Sequence, residues 1–66
     1  MNINLNGKKY KYIDSGSVEG LLKAIKADSK KVAVIVNGAI IGIAERKTAK
    51  LKKDDIVDIV TLGGGG

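Results

Sequence analysis

Sixty-six residues allow one small domain. A chain of that length buries only about 60% of the surface its unfolded form exposes, which leaves no room to wall off a deep catalytic cavity. There is no Cys and no His, which excludes disulfides, thiolate nucleophiles, the usual zinc sites and any Ser-His-Asp or Cys-His machinery, and fits a reducing compartment. Twelve Lys and Arg against seven Asp and Glu give a net charge of +5, and a hydrophobic share of 44% suits a folded chain.

Met1 to Leu5 alternates polar Asn2 and Asn4 with apolar Ile3 and Leu5, the period of a half-buried strand. Asn6-Gly7 follows, a pair that accepts positive φ and signals a tight hairpin. Lys8 to Ile13 reads as the return strand, with Tyr10 and Tyr12 on one face and Lys9 and Lys11 on the other. Asp14 to Ser17 is a turn cluster. Ser17 is a suitable helix N-cap, and Glu19 sits in the first turn where the helix dipole favours negative charge. Val18, Leu21, Leu22 and Ile25 form one apolar stripe, predicting a helix of about three turns. Gly20 is a weak point inside it.

Val32 to Val36 is an unbroken apolar run, which reads as a strand buried on both faces and therefore central. Asn37-Gly38 predicts a second turn and Ala39 to Ile43 a short strand. Gly38 and Gly42 also form G-x-x-x-G, but the β-branched surroundings argue for strands. Ala44 to Leu51 is open between a loop and one helical turn. Lys52 to Asp55 is a charged turn, and Ile56 to Leu62 the last strand, with Val57, Ile59 and Thr61 directed at the core and Asp58 away from it. The expectation is an α+β fold of order ββαβββ, a mixed sheet of four to five strands with one packed helix, in which the first and last strands are candidates for parallel neighbours. The domain spans 1–62, followed by a flexible tail over 63–66. No secretory or membrane-spanning segment is read, so the expected location is cytoplasmic.

Four glycines, Gly63 to Gly66, close the sequence. One reading is a flexible linker or an engineered remnant. The other is chemical: a carboxylate on residues without Cβ can thread a narrow channel into another protein's active site, where adenylation with ATP would give it a leaving group that sulfur displaces.

Across nearly its whole length the chain resembles the ubiquitin-like β-grasp sulfur carriers, closest to the ThiS family of thiamine biosynthesis. The likeness is carried by the Asn6-Gly7 hairpin, Ser17-Val18-x-x-Leu21-Leu22, Val36-Asn37-Gly38, Leu51 with the Asp54/Asp55 turn, Val57-x-Ile59 and the glycine terminus. It implies that Gly66 is the site of adenylation and thiocarboxylate formation, with Gly63, Gly64 and Gly65 threading the partner's active site. Gly65 and Gly66 match the family's terminal pair; Gly63 and Gly64 exceed it. The implied partners are a ThiF-like, ubiquitin-activating-type adenylating enzyme, which consumes ATP, and a ThiG-like thiazole synthase. The carrier would bind no cofactor or metal and would not itself be an enzyme. The positive net charge departs from a family whose members are often acidic.

Val60 and Leu62 share a face with Asp58, away from the helix, and with Ile41 (or Ile40) are the expected partner-docking residues. A molybdopterin-type sulfur carrier is the nearest alternative. A small basic nucleic-acid module is the alternative from another class, resting on Lys8-Lys9, Lys30-Lys31, Lys52-Lys53, Arg46 and the Tyr10/Tyr12 pair; an interaction module without chemistry is a third. No nucleic acid or membrane is expected as a partner. Asp54 and Asp55 read as a solvated turn, and Ser15 and Ser17 as caps.

Overall fold

The computed structural model describes residues 1–12 and 16–62. In chain order these form β1 (Asn2–Leu5), β2 (Lys8–Lys11), α1 (Val18–Ala24), β3 (Val32–Val36), β4 (Ala39–Ile41), a 3₁₀ turn (Ile43–Glu45) and β5 (Ile56–Thr61). The sheet order is β2-β1-β5-β3-β4. The first and last strands are indeed parallel neighbours, with β3 antiparallel on the other side of β5. Ile13, Asp14, Ser15 and the Gly63–Gly66 tail lie outside the described residues.

Both Asn-Gly turns form with positive φ at each residue, 49° and 82° at Asn6 and Gly7, 50° and 85° at Asn37 and Gly38. This primed geometry matches the twist of the strands it joins. Each asparagine also holds the central strand. Asn6 Oδ1 accepts from the Ile59 amide at 2.7 Å, and Asn37 Oδ1 accepts from the Ile56 amide at 2.9 Å. Asn37 Nδ2 donates to Asp55 Oδ1, whose other oxygen accepts from the Lys52 amide. Asp55 thus organises the charged turn that feeds β5.

The helix starts as its sequence dictates, with Ser17 Oγ accepting from the Gly20 amide at 3.0 Å. It ends sooner than the apolar stripe implies, after seven residues, or two turns. Lys26 adopts φ 60°, and the amides of Lys26 and Ala27 close back on the carbonyls of Lys23 and Leu22. That is the left-handed helix stop usually built with Gly, here built with Lys, a residue that gives no sequence warning of it.

Val18, Leu21 and Leu22 pack against Ile3, Tyr12, Val32, Val34, Leu51 and Val57 to make the core, with Ile25 and Ile59 partly buried beside it. The Tyr12 hydroxyl donates to the Ser17 carbonyl at 2.8 Å, so its buried polar atom is satisfied. β3 is not the central strand. It is second from the edge, and only Val32 and Val34 are buried while Ala33 and Ile35 are half exposed. Its outward residues are apolar without being covered.

Segment 44–51, open in sequence, is where Arg46 works. Its side chain is only 4% exposed. The guanidinium donates to the carbonyls of Ser29 and Val32, the latter at 2.7 Å. Strand pairing alternates sides, so the Val32 carbonyl faces β4, which has already ended at Ile41. Arg46 supplies the donor that a longer β4 would have given. Its own carbonyl accepts from the Glu19 amide, tying the same segment to the helix start.

Two predictions follow from these contacts. Asn37→Gly keeps the turn conformation but loses both side-chain bonds, and should lower stability by about 1–2 kcal/mol in denaturant unfolding. Arg46→Ala orphans two carbonyls and should cost about 2–4 kcal/mol, with Arg46→Lys recovering only part because one ammonium cannot reproduce the fork. Thermal melts measure both.

Candidate functional site

The alternation of β5 sends Val57 and Ile59 into the core and Asp58 and Val60 to the opposite, helix-free face. β1 pairs with β5 only at Ile56 and Val57. The C-terminal half of β5 therefore runs on past β1, paired to β3 alone. After Thr61 the Leu62 amide donates to the Lys31 carbonyl at 2.7 Å. This bond continues the β3–β5 register, in which Val32 faces Thr61, and it fixes the root from which Gly63–Gly66 depart.

Register places the helix-free face residue by residue. Ala33 lies opposite Val60, and Ile35 opposite both Asp58 and Ile40. Ile40 is 75% exposed, Leu62 53% and Val60 48%. Directly paired residues point to the same side of a sheet. Ile40, Ile35, Ala33, Val60 and Leu62 therefore make one apolar strip that ends at the tail root. Ile56, also exposed, lies on this face at the other end of β5.

Ile41 does not belong to the strip. It is the partner of Val34, which is wholly buried, so it turns to the core face and packs there. Period-2 alternation fixes that Ile40 and Ile41 oppose each other but not which of them faces out; the pairing with β3 decides it.

Of the residues that supported a nucleic-acid reading, the lysine pairs are exposed but the tyrosines and Arg46 are not free to bind. Tyr12 is 2% exposed and Arg46 4%, both committed to internal bonds, and Tyr10 packs against the core. No pair of stacking aromatics is offered to a base. Among the described residues no group of His, Cys, Asp or Glu is arranged to hold a metal ion, and no helix is long and apolar enough to cross a membrane. Ser17 caps the helix and Asp55 braces a turn.

A five-stranded mixed sheet with one crossing helix, and a central strand that runs out into a glycine terminus, defines a ubiquitin-like β-grasp carrier domain. The structure superposes on the crystal structure of the thiamine biosynthesis protein ThiS from Geobacter metallireducens with a TM-score of 0.84, at 30% identity and full coverage of both chains. An NMR structure of a thiamine biosynthesis protein from the same organism gives 0.78, covering 88% of that chain. In sequence the chain is 35% identical to the sulfur carrier protein ThiS of Bacillus subtilis, over 97% of this chain and 98% of that protein. It is 33% identical over its whole length to a thiazole synthase of Magnetococcus marinus, of which it spans only a fifth. The ThiS family model matches residues 3–66. The chain belongs to the ThiS family, the small sulfur carriers of thiamine biosynthesis.

The two faces of the sheet should respond oppositely to charge. Leu62→Glu and Val60→Glu should leave unfolding free energy within about 0.5 kcal/mol of wild type, because neither residue is in the core. Val57→Glu on the other face of the same strand should abolish the cooperative transition. Circular dichroism melts distinguish them.

Proposed function

We propose that the chain carries sulfur as a thiocarboxylate on Gly66 for construction of the thiamine thiazole ring. The carrying observation is the junction at Leu62: the central strand, pinned there to β3, leads into four consecutive glycines beside an uncovered apolar strip. Gly63, Gly64 and Gly65 form the arm. Without Cβ atoms they accept whatever backbone geometry a channel imposes.

The chemistry belongs to partners. In a ThiF-like adenylating enzyme the Gly66 carboxylate oxygen attacks the α-phosphorus of ATP, and pyrophosphate leaves. The mixed anhydride so formed has AMP as its leaving group. Hydrosulfide, or a donor persulfide whose S–S bond a thiol then cleaves to form a disulfide, attacks the activated carbonyl carbon and expels AMP, leaving the terminal thiocarboxylate. A ThiG-like thiazole synthase then takes the sulfur. That pairing is supported by the thiazole synthase of Magnetococcus marinus, whose own chain includes a region like this one. On this reading the chain's part in the chemistry is its Gly66 carboxylate alone; it acts as a substrate, working in the cytoplasm with ATP held by the partner.

The apolar strip is the docking surface on this reading, with Val60 and Leu62 at its tail end and Ile40, rather than Ile41, at the other. Large apolar side chains left exposed on a sheet face mark a surface used by a partner. Leu62→Glu should therefore weaken binding to the adenylating enzyme about tenfold or more while leaving the fold intact.

Intact mass spectrometry tests the chemistry. After incubation with ATP, a thiamine-type adenylating enzyme and a sulfur donor, the protein should gain the mass difference between sulfur and oxygen. The change should map to Gly66 and vanish when Gly65 and Gly66 are deleted. Thiocarboxylate formation only with a molybdopterin-type enzyme would move the carrier to that pathway. Persistence of the mass change in the deletion variant would overturn the role of the tail.

A further inference from the structure

The tail root is basic, and the ion pair found among the described residues does not involve its lysines. Lys30 and Lys31 are both exposed. The Lys31 carbonyl accepts from the Leu62 amide, so these two lysines stand at the point where the arm departs. By the β3–β5 register Lys31 is directly opposite Leu62 and shares the helix-free face with Ala33 and Ile35. The apolar strip therefore ends, on the tail side, in a cation.

Neither lysine has a carboxylate partner among the described residues, where the ion pair present joins Glu19 to Lys23 on the helix. The nearest carboxylate in sequence, Asp28, is exposed and engaged with the backbone of its own loop: Oδ1 accepts from the Lys30 amide and its carbonyl from the Lys31 amide. Asp58, on the same sheet face, lies four residues back along β5, roughly 13 Å from Leu62 at the rise of a strand.

The arm is short. Four residues past Leu62 reach at most about 14 Å even when fully extended. Any enzyme that draws the Gly66 carboxylate into its active site must bring the mouth of that site against Leu62, and hence against Lys30 and Lys31. A basic mouth would meet like charge there; an acidic one gains attraction and orientation. We propose that Lys30 and Lys31 form an electrostatic collar at the tail root, and that the partner it fits is an adenylating enzyme whose channel mouth is rimmed with carboxylates. This deepens the carrier reading and rests on it.

The test measures affinity of the full chain for the adenylating enzyme of its own organism, across ionic strength, for wild type, Lys30→Glu/Lys31→Glu and Lys52→Glu/Lys53→Glu. The last pair carries the same charge change in the turn before Ile56, at the far end of β5 from the tail. The collar variant should bind about tenfold or more weaker at low ionic strength, the control within about twofold, and the wild-type advantage should fade as salt screens it. Thermal melts of all three should coincide. Equal affinities for collar and control variants would overturn the collar and leave the carrier reading standing. Failure of wild type to bind the enzyme or to acquire sulfur would overturn both. Displacement of the enzyme by a short RNA at physiological salt would overturn the proposal by assigning the lysines to a polyanion.

Discussion

The fold hangs on the backbone of β5. It is the last element in sequence and the middle of the sheet, so it must be captured by segments made much earlier. β1 takes one edge in parallel and β3 takes the other antiparallel. The two asparagines reinforce the register of those ladders. Asn6 receives the Ile59 amide, Asn37 receives the Ile56 amide, and the backbone amides of the same asparagines donate to Val57 and Ile56. The turns that make the two hairpins are thereby also the stops that set the register of the strand between them. Register decides everything downstream: a one-residue slip would bury Asp58 and Val60 and expel Val57.

The capture is uneven along the strand. Both asparagine stops act on its first four residues, and β1 leaves it after Val57. Beyond that point one ladder and the Leu62–Lys31 bond remain. The strand is thus held most firmly where it enters the core and has an open side where it approaches the glycines. A partner can reach that part without breaking any bond of the described fold, because the β1 side of Val60 and Thr61 carries no strand.

Much of this was legible in the sequence because it is local. The Asn-Gly pairs, the Ser17 cap and the Val18-Leu21-Leu22 stripe each carry their own geometric signal within a few residues. What was not legible depends on distant chain. The uninterrupted apolar run of β3 looks like a strand covered on both sides, yet Ala33 and Ile35 lie on the helix-free face and are only half covered. Composition cannot separate an apolar residue buried by the fold from one left on an open face. Whether Ile40 or Ile41 faces outward is hidden for a related reason: alternation gives relative phase, and absolute phase comes from the Val34 pairing. Arg46 was hidden differently. Its role is to replace a strand that stops early, and no local pattern announces a missing hydrogen-bond donor on a neighbouring element. Lys26 ends the helix in a conformation its type rarely adopts, so periodicity ran one turn too far.

Chemistry and architecture are divided by the same alternation that builds the sheet. One face of β5 commits Val57 and Ile59 to stability. The other leaves Val60 and Leu62 outward, where they add little to folding. A chain of this size has few large apolar residues to spend, so leaving several uncovered is a real sacrifice of folding free energy. It makes sense where the surface must be dry against a partner and the reactive group must sit beyond any side chain of its own domain. A carrier has no need of a pocket. It needs a rigid base close behind a featureless arm, so that the entropy of placing the carboxylate is limited to four residues rather than to a long tether. Among the described residues the Leu62–Lys31 bond is the last restraint before the glycines, which on the proposed reading makes the end of β5 as much a part of the site as the glycines that follow it.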